Sequence, residues 1–415
     1  MNAAVRAVRA PDLATLLGRL PALAASIAEG ASQREREGVM PFEAFGRFRE
    51  SGLGTLRIPV ERGGPGGTIP ELIEVVATLA AADSNVAHAL RTHYNAIELW
   101  TSAPRNDNAE RQLARVLDGA LFGGAFTELG TPKSGTVTTT LEQRGDRLVL
   151  NGSKFYATGT AFADYASIAV RDHEGRDATV IVPTRREGLR VKDDWDGMGQ
   201  RLTASGSLEF SELEVRPGEL VHATPRTPQL RHASSLRQLF LVAVAAGIVR
   251  NILADALQYV RQHARPAAHS AAATPAEDPF TQWVVGDLAT ATHAVDALIA
   301  DNARRLDRSA DALRRSAAAP EAVPGDDDAI RQLVLDGALA TAKTQLAVSR
   351  IALAAAERLF DAGGASATSR RHNFDRHWRN LRTIFNHNPL MQKARVLGDF
   401  HLNGTTTHLE EGKVF

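Results

Sequence analysis

Apolar positions recur at helical spacing from about residue 11 to 118, switch to alternation from about 119 to 220, and return to helical spacing from about 230 almost to the end. The first region contains "DLATLLGRL", "MPFEAFGRFRESGL" and "PELIEVVATLAAADSNVAHALRTHYNAIELW", with apolar residues at i, i+3, i+4 and i+7. In the second, "TVTTTLEQRGDRLVLNGSKFYATG" alternates, is rich in Thr and Val, and turns at "RGD" and "NGS", while "DHEGRD" reads as a hairpin. The third opens on "LRQLFLVAVAAGIVRNILADALQYVRQHARP", a long helix whose first half is apolar almost all round, so it is expected to be buried, with another subunit as one surface to cover it. "FTQWVVGDLATATHAVDALIADNARRLDRSADALRR" and "AIRQLVLDGALATAKTQLAVSRIALAAAERLFDAGG" predict two more long helices. The expected fold class is α+β: an N-terminal helical domain (1–118), a middle antiparallel β module, sandwich or barrel (119–220), and a C-terminal helical bundle (221–415).

The breaks have their own chemistry. "PVERGGPGGTIPE" follows no strand and is interrupted by a proline, so Gly63 to Gly67 read as a turn and not as a nucleotide-binding fingerprint. "PAAHSAAATPAEDP" and "SAAAPEAVPGDDD" read as loops. At the N-terminus, Arg19 and Pro21 interrupt the apolar stretch that a secretory signal requires, and Leu13, Leu16, Leu17 and Leu20 predict an amphipathic helix. No apolar run is judged to reach the roughly 20 residues of a membrane span, and a soluble, cytoplasmic protein without membrane attachment is expected.

Composition narrows the function classes. The chain has 415 residues, 44% of them hydrophobic and 23% charged, and Lys plus Arg (48) balances Asp plus Glu (48). No global field points to nucleic acid or an anionic membrane. Cysteine is absent, which excludes disulfides, thiolate metal sites, iron–sulfur clusters and cysteine nucleophiles, and suits a reducing compartment. Neither His88 with His93 nor any nearby carboxylate makes convincing metal-ligand spacing, so no metal is expected.

Four strings, "FGGAFTELGTPKSG" (122–135), "LNGSKFYATG" (150–159), "DGMGQRLTASGSLEFSELEV" (196–215) and "DAGGASATSRRHNFDRHWRNLRTIFNHNP" (361–389), stand in an order that resembles the acyl-CoA dehydrogenase superfamily over essentially the whole chain. The resemblance implies that superfamily's three-domain fold, with a flavin ring between the β module and the C-terminal helices. It places Phe126 and Thr127 on the pyrimidine side of the ring. Tyr156, Ala157 and Thr158 occupy the family's Trp-Ile-Thr triplet, where the Thr158 hydroxyl faces flavin N5 and can donate or accept as the redox state changes. Arg261 and Arg265 are implied as flavin-phosphate ligands, the competing reading being solvated helix-end arginines. Gly363 and Gly364 match the loop that receives a neighbouring subunit's cofactor, and serve equally as helix-terminating glycines.

The departures redirect the chemistry. The dehydrogenases' Thr-Glu-Pro is Thr127-Glu128-Leu129 here, and the place of one catalytic glutamate falls on His387 in Phe385-Asn386-His387-Asn388. Abstracting the α-proton of a thioester needs a carboxylate base; at the family's alternative position, on the earlier long helix, "LRQLFLVAVAAGIVRN" offers no acid, and Asp255 follows one turn later. "YVRQHARP", "EDPFTQWVVGDLA", "FDRHWRNLRT" and the His387-Asn388-Pro389 ending are more similar to the flavin-dependent monooxygenases of the same fold, the dibenzothiophene monooxygenase-like branch, whose usual ending is His-Asp-Pro. The Asn removes a charge beside the imidazole.

That branch implies reduced FMN, with FAD as the alternative, and O2 as co-substrate. Its chemistry is a C4a-hydroperoxyflavin that delivers oxygen to a small sulfur- or nitrogen-containing, aromatic or apolar substrate. His387 and Thr158 are the implied catalytic residues, with a helix C-cap as the competing role for His387. In "NVAHALRTHYN", His88 and Thr92 are assigned one helix face and His93 lies off it; these three border the implied substrate side, where Thr92 replaces an aromatic residue. No G-x-G-x-x-G separates a strand from a helix, so reduced flavin is expected from a separate NAD(P)H flavin reductase, and the fold implies a homotetramer. Two other functions stay open: an FAD-dependent acyl-CoA dehydrogenase with a divergent base, and a non-catalytic flavin-fold binding protein.

Overall fold

The computed structural model describes residues 11–133, 135–222, 228–266, 268–318 and 326–407. The N-terminal region is helical: α1 (Leu13–Gly18), α2 (Leu20–Ala28), α3 (Ala31–Glu37), α4 (Phe42–Ser51), α5 (Ile69–Ala82), α6 (Ser84–Ala89), α7 (Arg91–Ser102) and α8 (Asp107–Leu117). Local chemistry sets the boundaries that matter for function. Thr68 and Glu71 form a reciprocal capping box at the start of α5, and the Asp83 side chain accepts from Asn85 N at 3.0 Å to start α6. The 63–67 segment is the expected turn, with Gly63 and Gly66 at φ +85° and +74°.

Among the described residues eight strands follow: β1 (Phe122–Ala125), β2 (Leu141–Arg144), β3 (Arg147–Lys154), β4 (Tyr165–Arg171), β5 (Asp177–Pro183), β6 (Leu189–Val191), β7 (Leu208–Val215) and β8 (Leu220–His222). They form two four-stranded sheets, ordered β1-β4-β5-β8 and β2-β3-β7-β6. Leu141, Leu150, Ile168, Val180, Val182, Leu208, Phe210 and Leu213 belong to the core of this module. All named pairings are antiparallel except β1–β4, whose parallel pairing follows from the long excursion through the β2–β3 hairpin. The sequence alternation slips once in β7, where Leu208 and Phe210 face inward and then Leu213 and Val215 do; Glu212 has φ +52° and β3 carries the matching irregularity between Leu150 and Gly152.

The C-terminal region holds α9 (Pro228–Gln262), α10 (Pro279–Ala318), α11 (Asp326–Arg358), α12 (Asp375–Asn386) and α13 (Leu390–Asn403). Residues Leu239 to Val249 of α9 are buried without interruption within this single chain. The neighbouring helices therefore already do what was assigned to another subunit. A Cβ on Gly247 would lie 2.3 Å from the Ala77 carbonyl oxygen, so α5 and α9 pack at a distance only glycine permits. By length and composition α9 would cross a membrane, contrary to the expectation that no segment reaches that length, but 72% of its most apolar window is buried in the protein. It is a core helix.

A buried ionic junction joins the two helical regions. Arg57 Nε and Nη2 donate to Glu98 Oε2 at 3.1 and 2.9 Å, His232 Nε2 lies 3.2 Å from Glu98 Oε1, and Arg314 Nη2 lies 3.4 Å from Oε2. Burial alone would raise the Glu98 pKa, but the two guanidiniums and His232 bring it well below the usual carboxylate range.

Candidate active site

The site forms where three regions converge: α6 and α7, the segment after β3, and the end of α12 with the first turns of α9. The inter-strand bridge between Thr127 and Phe155, with Phe155 N donating to Thr127 O at 2.8 Å, sets the 126–127 and 155–158 segments side by side. A Cβ on Gly124 would sit 2.7 Å from the Phe126 ring and 2.9 Å from Thr92 Cγ2, so Thr92 lies against this strand end. Gly159 packs directly on the Ala89 carbonyl, with 2.1 Å to an added Cβ, which brings Thr158 beside the helix of His88. A turn at Leu90 separates α6 from α7, so His88 and Thr92 stand on two consecutive helices instead of one face of a single helix.

Thr158 is buried, and its hydroxyl lies 2.7 Å from Ser205 Oγ; Ser205 is 2.6 Å from Thr203 Oγ1, which donates to Gln200 O at 2.8 Å. Gln200 then reaches His88, with Oε1 2.9 Å from Nδ1, while its amide donates to Ser84 Oγ at 2.9 Å and its backbone N donates to Asn380 Oδ1 at 2.6 Å. Gln200 thus presents its carbonyl to His88. The imidazole must carry its proton on Nδ1, leaving Nε2 as a bare acceptor, and Nε2 is buried without a protein partner. Burial and the charge of Arg91 push the His88 pKa down to about 3.

His387 ends α12, its N–H donating to Ile384 O at 3.2 Å, so its backbone does cap the helix. The side chain has a separate partner: Arg91 Nη2 lies 3.0 Å from Nε2. A guanidinium only donates, so Nε2 accepts and His387 is neutral. Arg91 first, then desolvation, His88 and Arg237, hold its pKa well below the ordinary imidazole value. Asn388, at the position of the altered charge, donates through Nδ2 to Gln238 Oε1 on α9.

Phe126 and Tyr156 expose 46% and 48% of their surface, unusual for aromatic rings flanking a buried Thr158. Tyr156 also holds φ +59°, a costly conformation for a bulky side chain, and packs edge-on to Phe155 and Trp195. Two open rings, a fixed hydroxyl and an unpaired imidazole nitrogen fit the face and edge of a flavin.

Several expectations are corrected. His93 does not point to this site: Phe122 N donates to Nδ1 at 3.2 Å, so Nε2 carries the proton and donates to Gly54 O at 2.9 Å. Both ring nitrogens are taken by backbone, in a fully buried position. Arg261, at the far end of α9, and Arg265, just beyond it, are both exposed; the helix carries Arg261 about 36 Å from Arg237 at ~1.5 Å per residue. They cannot share one FMN with Thr158 and His387 inside a single chain. Gly363 and Gly364 lie at that same far end: an added Cβ on Gly363 would strike the Tyr259 ring at 1.9 Å, and Gly364 has φ +56°, so packing and backbone conformation already require both glycines. Asp255 is bound by Arg376 Nη2 and His377 Nε2, both at 2.7 Å. Its burial would raise the pKa, but these partners bring it below the usual value. Glu128 is likewise engaged, accepting from Lys154 Nζ and from Thr139 N (3.0 Å) and Oγ1 (2.7 Å).

Gln200, Thr203, Ser205, Arg91 and Arg237 escaped the reading of motifs. The one local signal for the 200–205 loop is its density of small and polar residues between Gly199 and Gly206, consistent with the left-handed conformations of Gln200 and Ala204. Arg91 stands inside the histidine string itself, between His88 and His93, with nothing in the local pattern to single it out.

Comparison with known proteins gives the family. Residues 22–119, 125–213 and 239–392 match the N-terminal, middle and C-terminal domains of acyl-CoA dehydrogenase. A probable FMNH2-dependent monooxygenase, SfnC of Pseudomonas putida, is 30% identical over 408 residues, 97% of this chain and 98% of that protein. FMN-bound TdsC from Paenibacillus sp. A11-2 superposes with a TM-score of 0.83 at 27% identity, covering 94% of this chain and 98% of TdsC. Methanesulfinate monooxygenase MsuC from Pseudomonas fluorescens gives 0.82 at 27% identity, over 94% and 97%.

Proposed function

Since the chain belongs to the acyl-CoA dehydrogenase family and its relatives are FMNH2-dependent monooxygenases, we propose that it is a two-component flavin-dependent monooxygenase acting on a small sulfur-containing compound. The observation that carries this is the neutral imidazole of His387, set beside Arg91 at the position where a dehydrogenase would place a carboxylate base. Asp255, the acid the sequence offered as an alternative, is engaged in an ion pair with Arg376, and Glu128 in one with Lys154.

Reduced FMN supplies two electrons to O2, so that one oxygen atom enters the substrate and the other leaves as water. The chain's own groups position and protect. Thr158, held by Ser205, offers one hydroxyl to the flavin N5 edge, and Phe126 and Tyr156 flank the ring. His88 presents an unpaired, unprotonated Nε2, which suits holding a proton at the oxygen being transferred, while the neutral His387 ring beside it is held through its Nε2 by Arg91. The buried surroundings of Thr158 and His88 keep water from diverting the oxygen into hydrogen peroxide. A separate reductase supplies the reduced flavin. The exposed glycine loop and arginines at the far end of α9 suit contact with a neighbouring subunit's cofactor in a homotetramer, and the setting is cytoplasmic.

The test is turnover under 18O2 with reduced FMN and a panel of sulfides and sulfinates, followed by mass spectrometry. One 18O atom per product, with His387→Ala diverting most oxygen to hydrogen peroxide, supports the reading. Quantitative peroxide from every substrate, together with oxidation of an acyl-CoA, would remove it.

A further inference from the structure

Resting on that reading for the identity of the substrate side, we propose that Arg91 and Arg237 form an oxyanion subsite beside His387, and that the substrate is a small organic monoanion of the sulfinate type.

The charge inventory argues for it. Arg91 opens α7, Arg237 lies in the second turn of the buried part of α9, and Lys393 is in α13. Asn388, which follows His387, donates to Gln238, which follows Arg237, so the Arg237 turn of α9 lies against the end of α12; burial first and Arg237 second lower Arg91 to about 9 and Lys393 to about 8. Among the described residues no carboxylate pairs with either arginine; Arg237 Nη2 donates to Ser234 Oγ at 3.1 Å and Arg91 Nη2 to His387. Two other enclosed arginines do have a carboxylate partner, Arg57 in Glu98 and Arg376 in Asp255.

Arg91 also has unspent donors. Nε and Nη1 are both buried without a protein acceptor. Leaving two donors of a charged group unmet in a dry site is costly, and a second cation nearby makes it more so. An anion removes both costs. Its two oxygens are the complement of a guanidinium, and the same position brings its head group next to the imidazole implied in oxygen transfer. Thr92, in place of an aromatic residue, keeps the neighbouring wall polar and small.

The chemistry balances. The sulfur lone pair of R–SO2− forms the new S–O bond as the O–O bond breaks, giving R–SO3−, and the second oxygen leaves as water with the two hydrogens and two electrons that reduced FMN gives up. No further oxidant is needed. A neutral aromatic sulfide, by contrast, would leave both guanidiniums uncompensated.

Calorimetry on the full-length protein with bound oxidised FMN tests this with two probes, benzenesulfinate and its neutral near-isostere methyl phenyl sulfoxide. The sulfinate is expected to bind the wild type at least about tenfold more tightly, as lost charge-assisted contacts imply. Arg91→Met and Arg237→Met should each lose about tenfold for the sulfinate and less than about twofold for the sulfoxide, with FMN affinity by fluorescence titration unchanged. Equal wild-type affinity for the two probes overturns the proposal without reliance on any variant. So does a variant that loses FMN affinity and not sulfinate affinity, which would assign the cations to the cofactor phosphate. Arg91-dependent sulfinate binding with no 18O in the product sinks the monooxygenase reading and leaves the subsite standing. 18O transfer to neutral sulfides, indifferent to Arg91, does the reverse.

Discussion

Two arginine–histidine clusters lie between the N-terminal helices and α9, and they differ in one respect. At the first, Glu98 gathers Arg57, Arg314 and His232, and the carboxylate is fully enclosed. At the second, Arg91 and Arg237 meet His88 and His387 with no carboxylate among the described residues, and Arg91 Nε and Nη1 and His88 Nε2 have no protein partner. The same residue types thus serve opposite ends. A saturated cluster is a structural joint, whereas an unsaturated one of a single sign is arranged for something that arrives later.

The comparison breaks most visibly at the joint. Glu98→Gln should cost about 3–5 kcal/mol of stability, because two buried guanidiniums lose their counter-charge; urea unfolding that differs by less than about 1 kcal/mol would mean the junction is not the joint described here.

Acid comes next. His88 (about 3), His93 (about 4) and His377 (about 4) have folded pKa values below the roughly 6.5 of an unfolded histidine. Below pH ~6.5 the unfolded chain binds protons that the folded one does not, so stability falls on acidification by about 1.4 kcal/mol per pH unit for each histidine, until its folded pKa is reached. Above pH ~6.5 these three contribute no pH dependence. A melting temperature constant between pH 6.5 and 5 would contradict the buried neutral assignments.

Arg91→Met sharpens the contrast from the other side. Removing an uncompensated cation should change stability by no more than about 1 kcal/mol, whereas the His387 pKa should rise toward the ordinary value because its largest depressing influence is gone. An NMR titration of the His387 ring reads this directly, and no change would detach the imidazole from the arginine.

The smallest effect is expected at Ser205→Ala. Losing the bond to Thr158 should cost about 1 kcal/mol and weaken FMN binding a few-fold by freeing the hydroxyl to rotate. Unaltered FMN affinity would show that Thr158 needs no support.

Periodicity alone determined a good deal. The switch from 3.6 to 2 and back, with Thr68–Glu71 and the paired turn signals, specified helical, strand and helical regions because each pattern buries one face of one element only. The strings around Phe126, Thr158 and His387 pointed to segments that the fold does bring close together. Tertiary structure alone decided who partners whom. His88 and His93 stand five positions apart with similar local sequence, yet one is left with a bare nitrogen and the other is bound at both, because α6 and α7 meet different neighbours. Arg91 and Arg237 are ordinary helix residues until α7 and α9 pack, and Arg261 looks equally basic at the wrong end of the same helix. Charge compensation depends on distances in space across more than a hundred positions of chain, and linear spacing carries no record of them.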